Sequence, residues 1–334
     1  MERDTHFIGQ SGVFLDAVER ASRAAPLNRP VLVIGERGTG KELIAERLHH
    51  LSGRWAGPHI TMNCAALPET LIEAELFGHE AGAFTGATRT RAGRFEEADG
   101  GTLFLDELAT LSSGAQDRLL RAVEYGEVTR IGASKPLNVD VRIVAATNAH
   151  LPALVEEGRF RADLLDRLSF EVVTLPPLRA RPDDIALLAD HFARRMAVEL
   201  SWPQWPGFTG KAMESLEHYR WPGNVRELRN VVERAVYRWE DPERSVATIE
   251  FDPFASPWIA QQSGPAPIAT PMPARPNPEG GFRQSVDAHE RSLLVGAMET
   301  HRFNQRAVAT ALDLSYDQLR HALRRHKLLK RAAA

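Results

Sequence analysis

Short apolar runs alternate with segments of helical periodicity over roughly the first half of the chain. The runs lie at 31–34 (VLVI), 103–105 (LFL) and 141–146 (VRIVAA). Runs of this kind are typical of parallel strands that are buried on both faces. The segments between them, such as 42–51 and 113–123, have the spacing of amphipathic helices. The order strand, helix, strand, helix predicts a doubly wound α/β domain.

The pattern changes after the two prolines at 176 and 177. Helical spacing follows, at 182–200, 209–219 and 222–237. Seven prolines between 255 and 284 predict a semi-extended linker. Beyond it come three more helical segments, at 286–301, 304–312 and 315–326. We therefore predict an α/β domain at 1–175, a helical subdomain at 176–250, a proline-rich linker at 251–285 and a small all-α domain at 286–334.

Composition excludes several classes of protein. Hydrophobic residues at 43% and charged residues at 25% of the 334 are near globular averages, which argues against wholesale disorder or a fibrous repeat. The first nine residues have no apolar signal core, and no later apolar run approaches the ~20 residues that a membrane span needs. We expect a cytoplasmic protein without membrane insertion. The single cysteine, Cys64, excludes an intrachain disulfide, and we expect it to be buried.

A glycine-rich segment follows the first apolar run directly. The segment 35–41 (GERGTGK) opens a helical stretch, which is the context that a phosphate-binding P-loop requires. Its glycines allow backbone N–H groups to point at nucleotide phosphates, and the helix adds its positive end. We expect ATP to contact the whole segment, namely Gly35, Glu36, Arg37, Gly38, Thr39, Gly40, Lys41 and Glu42.

Two adjacent acids end the second apolar run. Asp106 is expected to hold Mg²⁺, and Glu107 is placed to polarise a water for attack on the γ-phosphate. The third run ends in Thr147 and Asn148, which are candidates to sense that phosphate. Glu42 occupies the position where P-loops usually have Ser or Thr for Mg²⁺. It either reaches the ion through water or acts as a first-turn helix acid, and the sequence leaves both open.

The stretch 75–106 contains the hexapeptide GAFTGA and resembles the defining region of the sigma-54 activators, the bacterial enhancer-binding proteins. The likeness covers nearly the whole chain through GERGTGKE (35–42), NCAAL (63–67), FRADLLDRL (160–168) and WPGNVREL (221–228). It implies an AAA+ P-loop NTPase with a parallel sheet, an α-helical lid and a small helix-turn-helix domain. It also implies an ATPase that remodels sigma-54 RNA polymerase from closed to open promoter complexes.

The resemblance assigns roles to individual residues. The hexapeptide is implied to protrude and touch sigma-54 through Gly82, Ala83, Phe84, Thr85, Gly86 and Ala87. Arg161 and Arg167 resemble arginine fingers that reach a neighbouring subunit's nucleotide, which implies a closed homo-hexamer. Arg226 resembles a lid arginine that contacts nucleotide, Asn63 an asparagine that holds Glu107, and Arg130 lies where a second pore loop is expected.

The last helical pair has helix-turn-helix spacing, and its second helix is basic. The stretch 315–331 contains six basic residues and one acid, Asp317, which gives a net charge of +5. Such a charge attracts double-stranded DNA. Ser315 is a natural helix N-cap. We expect Ala307, Ala309, Leu312, Leu319 and Leu323 to form the core. The residues expected to face upstream activating sites on DNA are Tyr316, Gln318, Arg320, His321 and Arg324.

Control of the activity is expected from another molecule, because only about 30 residues precede the P-loop. The resemblance implies an inhibitory regulator like phage shock protein A and target genes that respond to envelope stress. Trp55 is a candidate contact for the regulator, and a half-buried packing role is the alternative.

Two other functions compete with this hypothesis. An AAA+ machine with another client would share the nucleotide site, but GAFTGA argues against it. A non-enzymatic repressor that uses ATP only as a switch would need neither Glu107 nor the two finger arginines.

Overall fold

The computed structural model describes residues 7–254, 282–301, 304–326 and 328. The chain divides into two units, Met1–Phe254 and Ala255–Ala334. Most of the predicted linker at 251–285 lies outside the described residues, as do the basic residues Lys327, Lys330 and Arg331.

The first unit is built on five parallel strands in the order β2-β3-β6-β1-β7, and a short antiparallel pair, β4 and β5, stands apart from them. The strands are β1 (Val31–Ile34), β2 (His59–Asn63), β3 (Thr102–Asp106), β4 (Glu127–Val128), β5 (Leu137–Asn138), β6 (Arg142–Thr147) and β7 (Glu171–Thr174). The three strands predicted from the apolar runs are confirmed as β1, β3 and β6.

Helices connect the strands and continue after them. In the first unit they are α1 (Gly12–Ala24), α2 (Lys41–His50), α3 (Glu69–Phe77), α4 (Arg94–Glu97), α5 (Ser113–Tyr125), α6 (Leu151–Glu156), α7 (Ala162–Leu168), α8 (Asp183–Glu199), α9 (Gly210–His218) and α10 (Asn224–Tyr237). The described residues after Thr174 form helices and turns, with one bridge between Phe208 and Val246.

Alternate residues of the central strands enter two different cores. In β1, Leu32 packs in one core while Val31 and Val33 pack in the other. In β6, Ile143 and Val144 divide in the same way. The sheet is therefore buried on both faces, as continuous apolar runs require. Helices α8 to α10 enclose a third core around the fully buried Trp221.

The described part of the second unit consists of α11 (Phe282–Thr300), α12 (Gln305–Ala311) and α13 (Tyr316–Arg325). Ser315 caps α13 in a capping box with Gln318, as the sequence predicted for the cap. Leu319, Leu323 and Ala309 are buried, whereas Ala307 is not part of the core. Its place is taken by Val308, which is fully buried together with Leu294 of α11. The assignment of Ala307 was wrong by one position because so short a helix leaves the buried face ambiguous.

Candidate functional site

The P-loop joins the carboxyl end of β1 to the first turn of α2. Gly38 and Gly40 have φ values of 77° and 99°, a region that glycine enters without steric cost. Gly38, Thr39, Gly40, Lys41 and Glu42 line a cavity of about 540 Å³. The other three residues expected to contact ATP, Gly35, Glu36 and Arg37, do not line the cavity. The Glu36 carboxylate instead contacts Arg179 and Asn224.

Lys41 lines the cavity and is held there by the backbone of the P-loop. Its Nζ donates to the carbonyl oxygens of Gly35 at 3.0 Å and Glu36 at 3.3 Å, and the residue is buried. Burial lowers the pKa of its ammonium, while Asp106 and Glu107 act in the opposite direction. The cavity thus presents a partly desolvated cation and the Asp106 carboxylate, which suits a ligand that carries both phosphate and a divalent metal, while Glu107 lies outside the residues that line it.

Asp106 and Glu107 lie at the end of β3, beside the P-loop, as the sequence predicted. The Asp106 carboxylate lines the cavity and accepts the Glu107 backbone N–H at 2.9 Å. Glu107 has a φ of 53°, which is unusual for a residue other than glycine. Its side chain is only 13% exposed and lies 3.4 Å from the Arg37 guanidinium.

Three other predicted residues surround this pair. Asn63 is paired with Asp106 across β2 and β3, and its side-chain oxygen accepts the Ala65 N–H at 2.8 Å. The predicted contact between Asn63 and Glu107 is therefore not made, because the Asn63 oxygen is occupied by the Ala65 N–H and the Glu107 carboxylate pairs with Arg37. Thr147 is fully buried at the end of β6 and accepts the Ala149 N–H, whereas Asn148 is exposed at the same edge of the sheet.

The lid helix α10 begins against the P-loop. The backbone N–H of Val225 donates to the Gly38 carbonyl at 3.0 Å, and Arg226 lines the cavity. The position predicted for the lid arginine is therefore next to the phosphate-binding loop.

Sequence reasoning missed a buried charged group on the lid side of the cavity. Arg181 lies 4.6 Å above the Phe14 ring and donates to the Thr39 carbonyl at 3.3 Å. The neighbouring Asp184 is fully buried and accepts both the backbone and hydroxyl protons of Ser11 at 2.9 Å. These contacts tie the start of α1 to α8. Only an arginine and an aspartate among other charges mark them in the sequence, so no local pattern could have found them.

The two predicted fingers lie outside the set of residues that line the cavity. Arg161 precedes α7 and pairs with Asp117 at 2.5 Å and with Asp163 at 2.7 Å. Arg167 pairs with Glu124 of α5 at 2.5 Å. Both guanidinium groups are about half exposed. An exposed position away from their own subunit's cavity is compatible with action on a neighbouring subunit.

The hexapeptide forms a tight exposed turn between two glycines with positive φ. Gly82 donates to the Ala87 carbonyl at 2.7 Å, and Ala87 donates to the Phe84 carbonyl at 3.0 Å. Phe84 remains 38% exposed and meets the His79 ring edge-on at 5.0 Å. Thr85 is also exposed, whereas Ala87 is buried. The predicted exposure of the loop is confirmed for Phe84 and Thr85.

Arg130 connects the base of this turn to the body of the domain. It forms a two-pronged contact with Glu96 of α4, at 2.9 and 2.6 Å, and donates to Glu80 at 3.0 Å. Beside it, the backbones of His79 and Arg91 pair with each other, and Glu80 N–H donates to the Ile131 carbonyl at 2.9 Å. The segment around Arg130 therefore supports both arms of the loop.

Trp55 is 66% exposed, which removes the alternative of a half-buried packing role. Cys64 is fully buried, and burial raises the pKa of its thiol to about 12, so it is a core residue as predicted.

In the second unit the predicted DNA-facing residues lie along one helix. Tyr316, Gln318, Arg320, His321 and Arg324 of α13 are all exposed. The adjacent Arg325 is directed back to α11, where it pairs with Asp287 and, at 3.4 Å, with Glu290. The exposed face of α13 is thus basic and free of core residues.

Among the described helices, none has the combination of length and apolar character that crossing a bilayer demands.

Two family models match the first unit, one over the α/β part and one over the helical part. A family model described as the sigma-54 interaction domain matches residues 7–174, and one described as the AAA+ ATPase lid domain matches 179–254. The chain is 52% identical to the Psp operon transcriptional activator of Escherichia coli over 98% of this chain and 99% of that protein. It is 44% identical to the transcriptional regulatory protein ZraR of Salmonella typhimurium, over 92% of this chain and 66% of ZraR.

The fold is also similar to solved structures over most of the chain. NtrX from Brucella abortus in complex with ATP superposes with a TM-score of 0.68 at 30% sequence identity, over 96% of this chain and 69% of that one. Its ADP complex gives the same TM-score.

Proposed function

The chain belongs to the sigma-54 interaction domain family of AAA+ ATPases, and from this premise we propose how its residues divide the work of activating transcription. It is a sigma-54-dependent transcription activator that binds and hydrolyses ATP and acts on sigma-54 RNA polymerase. The observation that carries the proposal is the exposed GAFTGA turn on the same domain as the nucleotide cavity.

Within one subunit the phosphates of ATP lie along the P-loop, between Lys41 and Arg226. Lys41 exchanges its bonds to the Gly35 and Glu36 carbonyls for the phosphate oxygens. Glu107 orients the attacking water and accepts its proton, for which its carboxylate must leave Arg37. Asn63, Thr147 and Asn148 lie near Asp106 and Glu107 at the same edge of the sheet.

The donor set fits Mg²⁺. Asp106 offers a carboxylate at the cavity wall beside Lys41, and Glu42 lines the same cavity. Carboxylate oxygens are the protein ligands that Mg²⁺ prefers, with water and phosphate oxygens completing the shell. Bound there, Mg²⁺ would neutralise charge on the β- and γ-phosphates.

The active form is a closed ring, for which a hexamer is the family's arrangement. Arg161 leaves Asp117 and Asp163, and Arg167 leaves Glu124. Both arginines then reach the γ-phosphate of the ATP that is bound to the next subunit. A head-to-tail interface gives every site such a neighbour only when the ring closes. Hydrolysis therefore depends on assembly.

The loop transmits the nucleotide state to the polymerase. Glu80 at its base is held by Arg130, which also holds Glu96. A shift of either segment repositions Phe84 and Thr85, because the two glycines permit the turn to move as one piece. Sigma-54 is the partner that covers the exposed Phe84.

The second unit carries the protein to DNA. The exposed residues of α13 enter the major groove of upstream activating sites, where Arg320 and Arg324 contact bases or phosphates. The target genes are those of an envelope stress response, supported by 52% identity to the Psp operon activator. A regulator that resembles phage shock protein A restrains the ATPase, and the exposed Trp55 is its candidate contact.

The experiment that tests the function uses purified protein and sigma-54 RNA polymerase on a promoter with cognate upstream sites. We expect open complexes with ATP and none with ADP. If the wild-type protein hydrolyses ATP but forms no open complexes, the polymerase is not its client.

A further inference from the structure

Asn224, the first residue of α10, makes three side-chain hydrogen bonds although it is completely buried. Its amide nitrogen donates to Glu36 Oε2 at 3.1 Å and to the Arg37 carbonyl at 3.0 Å. Its amide oxygen accepts the Leu178 N–H at 2.8 Å. One side chain thus joins the P-loop, the segment that leads into the lid, and the lid helix itself. With both amide protons and the oxygen engaged, the amide meets its hydrogen-bonding requirement without water.

The Glu36 carboxylate contacts this amide and does not line the cavity. Arg179 donates to both of its oxygens, at 2.8 and 2.6 Å. Hydrogen bonds from Arg179 and then Asn224 lower the pKa of Glu36 to about 2, so the carboxylate is ionised at neutral pH. The Arg179 pair alone is exposed to water and contributes little. Its geometric effect is to fix Oε2 as an acceptor for the buried amide.

The backbones come as close as the side chains. A Cβ atom on Gly38 would lie 2.3 Å from the Gly223 carbonyl and 3.0 Å from the Arg226 Cβ. Val225 N–H donates to the Gly38 carbonyl at 3.0 Å. The first turn of α10 therefore rests directly on the P-loop, and Arg226 follows Asn224 by two residues.

We propose that Asn224 and Glu36 are positioning residues that form a latch between the P-loop and the lid. The latch, which consists of Glu36, Arg179 and Asn224, holds the first turn of α10 so that Arg226 meets the terminal phosphate of ATP. Neither Glu36 nor Asn224 contacts the nucleotide. Glu36 acts through Asn224, and Asn224 acts through Arg226. The inference rests on the proposed role of Arg226 and assigns Glu36 a function other than ATP contact.

The direct test replaces Asn224 by Asp in the full chain. Aspartate tolerates the φ of 52° at this position and keeps the acceptor for Leu178. Its second oxygen, however, faces the Glu36 carboxylate and the Arg37 carbonyl. These oxygens repel one another, so the latch is broken. We expect kcat for ATP hydrolysis to fall by about tenfold or more, since a displaced catalytic group is costly. The KM for ATP and the affinity for ADP should change by less than about threefold.

Two further variants separate a latch from a general loss of folding. In Asn224→Asp/Glu36→Gln, the glutamine amide can donate to the new carboxylate, and kcat should recover at least partly. In an Arg226→Ala background, Asn224→Asp should cause little additional loss, because its effect is transmitted through Arg226. Asn230→Asp is the matched control, since Asn230 is exposed on the same helix, and it should keep the wild-type kcat.

A wild-type kcat in Asn224→Asp would overturn the latch. So would a fall in kcat that is fully additive with that of Arg226→Ala. A kcat in Asn224→Asp/Glu36→Gln no higher than in Asn224→Asp would also contradict it. Equal thermal melting midpoints and ADP binding establish that the variants are folded. An absence of hydrolysis in the wild-type protein would instead contradict the proposed ATPase, so the two failures are distinguishable.

Discussion

Glu107 combines an uncommon backbone conformation with a mostly buried carboxylate. Its φ of 53° turns the chain after β3, and the side chain lies 3.4 Å from the Arg37 guanidinium. Strained residues of this type cluster at functional sites, where the surrounding structure holds them in place. The carboxylate is the candidate base for hydrolysis.

Glu107→Gln should therefore abolish hydrolysis while ATP still binds. The amide keeps the size of the side chain but cannot accept the proton of water, and we expect kcat to fall by at least about 100-fold. Hydrolysis measured by phosphate release, beside binding of a fluorescent ATP analogue, separates the two effects. Glu156→Gln, at an exposed position of α6, is the control. Hydrolysis at the wild-type rate by the Glu107→Gln variant would require another base.

At this scale the sequence was informative where neighbours in the chain are also neighbours in space. The P-loop, Asp106 and Glu107 were predicted because each motif is local. The partners of Glu36 were not predictable, since Arg179 and Asn224 lie 143 and 188 residues away along the chain. The pairing of Glu107 with Arg37 was missed for the same reason.

At the scale of elements, one arginine joins two helices to the sheet. Arg142 at the start of β6 is almost completely buried and donates to the carbonyl oxygens of Ala24, Ala25 and Leu48 at 3.0, 2.7 and 3.2 Å. Ala24 and Leu48 lie in the last turns of α1 and α2, and Ala25 follows α1, where carbonyls lack a donor from the helix itself. The Ala24 carbonyl also accepts the Leu27 N–H at 3.2 Å. Burial lowers the pKa of Arg142 to about 10, so it is still charged at neutral pH.

Arg142→Met should destabilise the unit strongly although methionine is a good core residue. The substitution leaves the Ala25 and Leu48 carbonyls without the Arg142 donor, and we expect the free energy of unfolding to fall by on the order of 3 kcal/mol. Urea denaturation followed by circular dichroism provides the measurement. Arg23→Met, on the exposed side of α1, should change stability by less than about 0.5 kcal/mol. Equal effects of the two substitutions would show that the carbonyl contacts contribute little.

Periodicity located the boundaries of the two longest lid helices closely. The predicted helices at 182–200 and 222–237 correspond to α8 and α10, within two residues. The β4–β5 pair has two residues in each strand, and α4 and α6 are also short, so no window of periodicity could reveal them. The helix α11 begins four residues before the predicted 286, because hydrophobic spacing marks a buried face and not a helix end.

At the scale of the whole molecule, the nucleotide cavity and the loop proposed to contact sigma-54 are two places on one domain. Asp106 and Glu107 end β3, and the chain from β2 to β3 includes α3, the loop and α4. Arg130 closes this segment by joining Glu80 to Glu96. We expect hydrolysis to activate transcription only when its effect reaches Thr85 and Phe84.

Open-complex formation by sigma-54 RNA polymerase, compared between wild type and Thr85→Ala at matched ATPase rates, tests this claim most directly. Thr88→Ala, just outside the exposed turn, is the matched control. We predict that Thr85→Ala hydrolyses ATP at a rate close to wild type but yields no open complexes, whereas Thr88→Ala yields both. Normal open-complex formation by Thr85→Ala would contradict the account, because the loop would then not be the element that couples hydrolysis to the polymerase.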